Sequence, residues 1–471
     1  MRPSPRWTFA IVSVALFMVV LDNLVVTTAL PSIRADLGAT IQSLEWTVNA
    51  YTLSFAVLLL TGAALGDRFG RRRVFAIGLG VFTAASAAAA LAPSTGVLIA
   101  ARAVQGAGAA AVMPLTLTLL SEAFPAGKRG LVLGLWSGIS GLGVAIGPLV
   151  GGAVVDGISW PWIFWLNVPI GIALVPLAAR RLTESHGPAK HLDLPGLVLG
   201  GLGLLGVVYG IVRGNELGWT STTILASITS GALLLAAFIA WELRAPHPML
   251  PMRFFRSRAF AAANGVGFVM YFGVFGSIFL LAPFLQITQG LSPLEAGIRT
   301  LPWTGMPMLV APIAGVLSDR IGARPLMATG LALQSAAVAW LAAVSTPTVP
   351  YAELVLPFMM AGAGMALVFA PAANAVLGSV RPQEAGQASG ATNAIRELGG
   401  VMGVAVLASV FSSSGSYASP QAYTDGMVSA VWVGAVVLAA GALVALLIPR
   451  VAGRAAAREA ETVGEVAPVA A

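Results

Sequence analysis

The sequence predicts an all-α integral membrane protein of fourteen spans, built as two six-helix bundles with two extra helices between them. Three observations predict it. Of 471 residues, 57% are hydrophobic and 10% charged, with mean hydropathy +0.87, a balance that no water-soluble surface sustains. Apolar runs of about 20 residues, each long enough to cross a bilayer, recur fourteen times between Pro, Gly or charged breaks. A charged loop after the second run returns after the tenth, with Asp67 and Asp319 standing 252 residues apart. The same composition excludes a disordered chain, a disulfide-stapled secreted domain and a soluble enzyme.

In chain order the predicted spans are 7–30, 45–65, 73–92, 95–119, 131–155, 161–180, 192–212, 222–243, 260–285, 296–317, 325–345, 351–373, 388–411 and 426–448. The first is read as a retained helix, because Asp22 and Asn23 interrupt its far half and no small-residue cleavage site follows. With the N-terminus inside, the inner segments carry 21 of the 26 Lys and Arg, and the outer loops only Arg34 and Arg213. Cytoplasmic loops retain positive charge, so both termini are expected in the cytoplasm and the chain in the cell membrane. A missed span would move every later loop to the wrong side. The net charge of +7 then needs no nucleic acid as partner.

The repeat pairs Gly66-Asp67-Arg68-Phe69-Gly70-Arg71-Arg72 with Ser318-Asp319-Arg320-Ile321-Gly322-Ala323-Arg324. Gly130, Gly134, Gly143 and Gly147 find Gly386, Gly390, Gly399 and Gly403, each 256 residues on. An offset covering eight spans keeps both loops on one side and makes the repeat parallel. The predicted division is a six-helix bundle over 1–183, two inserted helices over 184–245, a cytoplasmic connector over 246–259, a second bundle over 260–449 and a disordered tail over 450–471.

Chemistry is scarce. There is no Cys, which removes thiolates and disulfides, and His186, His191 and His247 fall in polar breaks, so neither a metal site nor an imidazole base is expected. No nucleotide-binding motif appears, so ATP is not the direct energy source. An Asp inside an apolar helix is costly to hold ionised and tends to face a cavity, a partner or a proton path. Asp22 is therefore expected to exchange a proton, unless it only caps its helix or bonds Asn23 or Thr27. It is also the sole carboxylate placed deep in the helices of the first half. Arg102 cannot shed its charge, so it must find acceptors or snorkel to the interface. Gly143, Gly147 and Gly151, every four residues, clear one helix face for close packing, and Pro148 invites a bend. In the ninth span Phe268, Tyr271, Phe272, Phe275 and Phe279 fall at helical spacing, either as packing or as a wall for flat ligands. Trp7 and Trp219 mark membrane interfaces.

Five segments together resemble one family. They are 21–31 (Leu-Asp-Asn-Leu-Val-Val-Thr-Thr-Ala-Leu-Pro), the Gly66 to Arg73 loop, 102–110 (Arg-Ala-Val-Gln-Gly-Ala-Gly-Ala-Ala), 143–152 (Gly-Val-Ala-Ile-Gly-Pro-Leu-Val-Gly-Gly) and 160–169 (Trp-Pro-Trp-Ile-Phe-Trp-Leu-Asn-Val-Pro). Their order and spacing resemble the fourteen-helix drug:proton antiporters of the major facilitator superfamily, nearly throughout the chain to about residue 450. Thr28, Ala63 and Pro161 depart from the family pattern, which has Asn, Gly and Arg there. The second loop has the Gly, as Gly315.

The resemblance implies the major facilitator fold and export of amphipathic drugs, antibiotics or toxic small molecules in exchange for protons, by alternating access. It implies proton coupling at Asp22 and Arg102, with Arg102 sensing Asp22. It implies a conformational latch of Asp67, Arg68, Gly70 and Arg71, with Glu122 as partner of Arg71, repeated by Asp319, Arg320, Gly322 and Arg324. It also implies an antiporter motif of Gly143, Gly147, Pro148, Gly151 and Gly152. Asn23, Asn49, Trp136, Asn264, Tyr271, Phe275 and Glu397 are the substrate-binding candidates. For Arg396-Glu397 a plain ion pair stands beside a substrate role. The chain is read as a monomer in the lipid bilayer, with no cofactor beyond the proton. A symporter, an exporter of one metabolite or lipid, and a non-transporting receptor are the other readings. A membrane enzyme would need a constellation of His, Cys or paired acids, and none is visible.

Overall fold

A computed structural model describes residues 5–124, 126–187, 192–380 and 384–449. Fourteen of its helices are long and apolar enough to cross a membrane. They are α1 (Pro5–Leu37), α2 (Ile41–Phe69), α3 (Arg71–Ala90), α4 (Thr95–Ala123), α5 (Ala126–Gly157), α6 (Trp162–Arg181, broken at Leu166), α7 (Leu194–Leu217), α8 (Thr222–Glu242), α9 (Arg258–Pro283), α10 (Pro293–Ile321), α11 (Ala323–Val344), α12 (Tyr351–Leu377), α13 (Ala385–Ser414) and α14 (Pro420–Ala445). Among the described residues there is no strand.

All fourteen predicted spans are present, and several run past their apolar core: α1 continues through Arg34 and Asp36, and α5 begins five residues before the predicted start. Lipid sets the minimum length, whereas caps decide where a helix ends. Thr40, Ser94, Ser221 and Ser419 each accept a backbone N–H of the first turn. Ser292 and Glu295 close a reciprocal capping box on α10. The expected tail, 450–471, lies outside the described residues.

The repeat reappears as packing. In the first half α5 lies on α1, and three glycines of α5 meet three residues of α1 at the same four-residue period: Gly143 at Val20, Gly147 at Leu24 and Gly151 at Thr28. A Cβ on Gly147 would sit 2.8 Å from the Leu24 Cβ. Eight helices on, Gly399 and Gly403 of α13 press against the α9 backbone at Phe268 and Phe272. Each glycine face thus brings two backbones together where any larger side chain would part them.

The halves meet along two seams, α5 with α10 and α2 with α13, which the repeat makes equivalent. α7 and α8 pack on each other, and α7 leans on α2 and α13 beside the second seam. We call the side bearing Arg68, Arg71, Arg72 and Arg73 the basic face and the other the opposite face. On the α5–α10 seam Gly152 faces the Pro293 carbonyl and Gly297 faces the Pro148 carbonyl, so the backbones touch. Polar ties join the halves in the same region and at mid-depth: Gln286 donates to the Thr28 carbonyl (2.8 Å), Thr304 to the Ala145 carbonyl (2.9 Å), and the Arg34 guanidinium lies 4.1 Å from the Tyr417 ring centre.

Candidate functional site

The polar centre of the first half is a closed hydrogen-bond network around Asp22. Arg102 Nη1 donates to Asp22 Oδ2 (2.5 Å) and to Gln105 Oε1 (2.7 Å). Gln105 Nε2 donates to Asp22 Oδ1 (2.9 Å) and to Ser86 Oγ (2.8 Å), and Asn167 Nδ2 donates to the same Asp22 Oδ1 (2.7 Å). Arg102 Nε reaches the Thr47 carbonyl at 3.3 Å, and its guanidinium lies 4.1 Å over the Tyr51 ring. Arg102 and Gln105 of α4 and Asn167 of α6 therefore converge on the Asp22 carboxylate of α1, and Ser86 of α3 and the Thr47 carbonyl of α2 accept from these donors behind it. Asp22 is 1% exposed and Arg102 0%, so Arg102 does not snorkel, and Asp22 neither caps its helix nor binds Thr27, whose hydroxyl donates to the Leu24 carbonyl.

Every group facing Asp22 is a donor, and one of them carries a full charge. Such a shell holds the ionised carboxylate that lipid alone would refuse. Gln105, Asn167, Ser86 and Tyr51 were not singled out from sequence. Their one signal was a polar side chain inside an apolar run, with Gln105 three residues after Arg102 and so on the same helix face. Asp22 is also not alone among buried acids of the first half: Glu45, the fifth residue of α2, is 1% exposed with both carboxylate oxygens unpartnered. Its place at the end of a run disguised it. The neighbouring Tyr417, on the α13–α14 loop, is itself pushed up to about 12 by burial.

On the basic face Arg71 donates through Nε (2.9 Å) and Nη2 (2.7 Å) to Asp67 Oδ1 and pairs with Glu122. The segment after α6 closes over this pair, which the sequence did not reveal because that segment has no periodicity. Glu184 accepts from the Arg72 backbone N–H (3.0 Å), the Ser185 carbonyl accepts from Arg71 N–H, and Gly187 N–H donates to the Asp67 carbonyl. Gly70 turns the chain at φ +103°, and a Cβ there would meet the Glu184 carboxyl at 2.7 Å. Arg68 lies over the Phe69 ring. The second loop repeats the turn, with Gly322 at φ +85° and its N–H on the Ser318 carbonyl. Arg320 and Arg324 form no ion pair with the described residues, and the Asp319 side chain lies outside them. Gly70→Val is therefore expected to cost about 1–3 kcal/mol through the left-handed backbone alone, and more through Glu184. A melting temperature and turnover equal to wild type would leave the loop with only its charge.

The remaining candidates divide. Tyr271 and Phe275 stack (5.2 Å between centres), Phe369 of α12 meets Tyr271 edge-on (5.9 Å), and Arg396 lies 5.5 Å over Phe369. Glu397 is the next residue on α13 and within electrostatic reach of Tyr271 and of Tyr51 in the other half. Arg396 and Glu397 form no ion pair. Trp136 stands apart, donating to Thr116 within the first half (3.0 Å), and Asn264 bonds back to its own helix at the Phe260 carbonyl (2.9 Å). Asn49 is fully buried with no side-chain partner, and Asn23 is half-buried. A small apolar cavity at the α5–α10 seam is lined by Thr27, Thr28, Pro148, Ile278, Trp303 and Thr304, among others, and no lining side chain is charged. Among the described residues no group of His, Cys, Asp or Glu is placed to hold a metal.

Two repeat-related bundles with a charged network sealed inside one of them define a helical, multi-pass membrane transporter. The sequence profile of the Major Facilitator Superfamily matches residues 12–404 and again 263–470, and the chain belongs to that superfamily. It is 40% identical over 415 residues to the cephamycin export protein CmcT of Amycolatopsis lactamdurans, covering 86% of this chain and 84% of that one. It is 32% identical over 415 residues to the tetracenomycin C resistance and export protein of Streptomyces glaucescens (88% and 77% covered). It is 35% identical over 408 residues to the multidrug resistance protein Stp of Mycobacterium tuberculosis (86% and 76%). Among solved structures, a POT family transporter with a thioalcohol-conjugated peptide superposes with TM-score 0.69 at 14% identity (93% and 95% covered). A bacterial homologue of the lysosomal transporter Spinster, inward-facing, gives 0.67 at 17% (95% and 97%). These two likenesses concern the fold.

Proposed function

We propose that the chain is a proton-coupled antiporter of the cell membrane that exports amphipathic small molecules, antibiotics among them, by alternating access. The observation that carries the coupling is the Asp22–Arg102–Gln105–Asn167 network: a buried carboxylate whose shell consists only of donors changes its fit when it takes a proton. Protonation removes the charge that holds Arg102, and the guanidinium is then free to exchange partners as the bundles rock. Arg71 with Asp67, Glu122 and the segment after α6 acts as the latch on the basic face, and the Gly152 and Gly297 contacts of the α5–α10 seam are the bearing. Relatives named for export or resistance support the direction. Some are named for a single compound, which favours a narrow substrate range as the second reading.

The test is flux in proteoliposomes carrying a pH gradient, with an internal dye reporting protons and a panel of antibiotics and dyes as cargo. Cargo moving against its gradient, with protons counted in the other direction, supports the proposal. Cargo movement indifferent to the gradient overturns it. In the orientation we propose, both termini and the basic face are cytoplasmic and the 218–221 turn external. A Thr220→Cys variant of this Cys-free chain is then expected to react with an impermeant thiol reagent on intact cells. Reaction only after the membrane is opened reverses the orientation.

A further inference from the structure

The second half carries two charged side chains, Arg396 and Glu397, that form no ion pair among the described residues. Arg396 and Glu397 are consecutive on α13 and half-buried; Arg396 lies over Phe369 of the aromatic group of α9 and α12, and Glu397 is within electrostatic reach of its Tyr271. Arg396 Nε and Nη2 and Glu397 Oε2 are buried atoms with no hydrogen-bond partner. Leaving donors and an acceptor of charged groups unmade is expensive, so the choice of atoms is informative. Nε and Nη2 form one edge of the guanidinium, the edge that receives a carboxylate through two parallel N–H···O bonds. Phe369, 5.5 Å under the guanidinium, supports its plane. A second detail protects the same edge. The nearest atoms to a Cβ placed on Gly267 of α9 all belong to Arg396, with Cγ at 3.2 Å and Nε at 3.3 Å. Glycine there keeps a side chain off the fork.

We infer that Arg396 and Glu397 are the two poles of a docking site for aromatic zwitterions. A carboxylate sits on the Nε/Nη2 edge, an ammonium on Glu397, and the ring against Tyr271 and Phe275. The chemistry is balanced: a dipolar ligand satisfies all three orphaned atoms and adds no net charge to a low-dielectric site, whereas a ligand of single sign leaves one pole buried and unpaired. The inference rests on the transport reading above and narrows its substrate class. It does not depend on protons, because docking involves no gradient.

The probes are 3-(2-naphthyl)-L-alanine, which carries both charges, 3-(2-naphthyl)propanoate and 2-(2-naphthyl)ethylamine, each lacking one. Binding is measured on the purified full chain in detergent by scintillation proximity, with micelle blanks subtracted. The zwitterion is expected to bind at least about tenfold tighter than either analogue. Arg396→Gln should erase the advantage of the carboxylate and Glu397→Gln that of the amine, each leaving the other preference in place. Gly267→Ala retains both charges and crowds only the fork. It should weaken the zwitterion and the propanoate several-fold and spare the amine, which keeps the test decisive if a charge variant folds poorly. Equal affinities for the three probes, no binding above the blank, or charge variants that lose stability with unaltered selectivity would each overturn the inference and make the pair a packing feature of α13. Loss of gradient-driven flux with these preferences intact would instead count against the coupling proposal alone.

Discussion

Asp22→Asn is expected to abolish export against a gradient, by on the order of a hundredfold or more in accumulation, as for the loss of a required intramembrane carboxyl. The geometry explains why the isosteric amide is a poor substitute. Asp22 receives three donors on two oxygens, Arg102 on Oδ2 and both Gln105 and Asn167 on Oδ1. Asparagine has one oxygen, so whichever way it turns an N–H meets an N–H. Removing one member of a buried ion pair also leaves the other uncompensated, at about 3–5 kcal/mol, so the melting temperature should fall as well. The double variant Asp22→Asn with Arg102→Gln separates the two effects. It removes the stranded charge and should recover much of the stability, but not accumulation. Arg102→Lys should also fail, because an ammonium cannot reach Asp22, Gln105 and the Thr47 carbonyl with the fixed fork that does so here. The measurement is gradient-driven uptake beside thermal unfolding. Undiminished accumulation by the single variant would exclude Asp22 as the coupling site and direct attention to Glu45 and Glu397.

The fold was legible because lipid imposes a coarse rule, about twenty apolar residues per crossing, and because the loops of Asp67 and Asp319 mark the repeat. What decides which helices touch is finer than hydropathy. Gly143, Gly147 and Gly151 announced a close-packed face, but nothing in their spacing identified α1 as the partner rather than α10. Gly152, the adjacent residue, faces α10 instead. Charges in apolar runs made Asp22 and Arg102 visible singly, and family resemblance linked them. The neutral members, Gln105, Asn167 and Ser86, remained hidden because a polar side chain costs far less in a helix than a charge and so stands out less. Glu184 was hidden for another reason: it lies after α6, where no periodicity ties a residue to a face. Trp136 and Asn264 looked available from their type alone, yet each is occupied by a neighbour, Thr116 and the Phe260 carbonyl.

Gly152→Leu should open the opposite face, whereas Gly147→Leu should only loosen the first bundle. The two glycines are five residues apart on α5 and do different jobs. Gly147 is packed on Leu24 of α1, inside one half, and Gly152 faces the Pro293 backbone of α10, across the seam between halves. Forcing a side chain into a filled contact costs about 1–3 kcal/mol. At Gly147 that cost falls on any conformation in which α1 and α5 stay together, so it lowers stability without favouring either access state. At Gly152 it falls only on the state in which α5 and α10 are joined, and a differential of 1–3 kcal/mol moves a two-state population by roughly 5- to 150-fold. Thr304, 5% exposed and donating to the Ala145 carbonyl, reports on the seam. A Thr304→Cys chain should react slowly with an impermeant thiol reagent applied at the opposite face. Adding Gly152→Leu should speed that reaction at least several-fold, and adding Gly147→Leu should leave it near the starting rate while lowering the melting temperature. Equal labelling in the two double variants would mean that the α5–α10 contact does not close the opposite face.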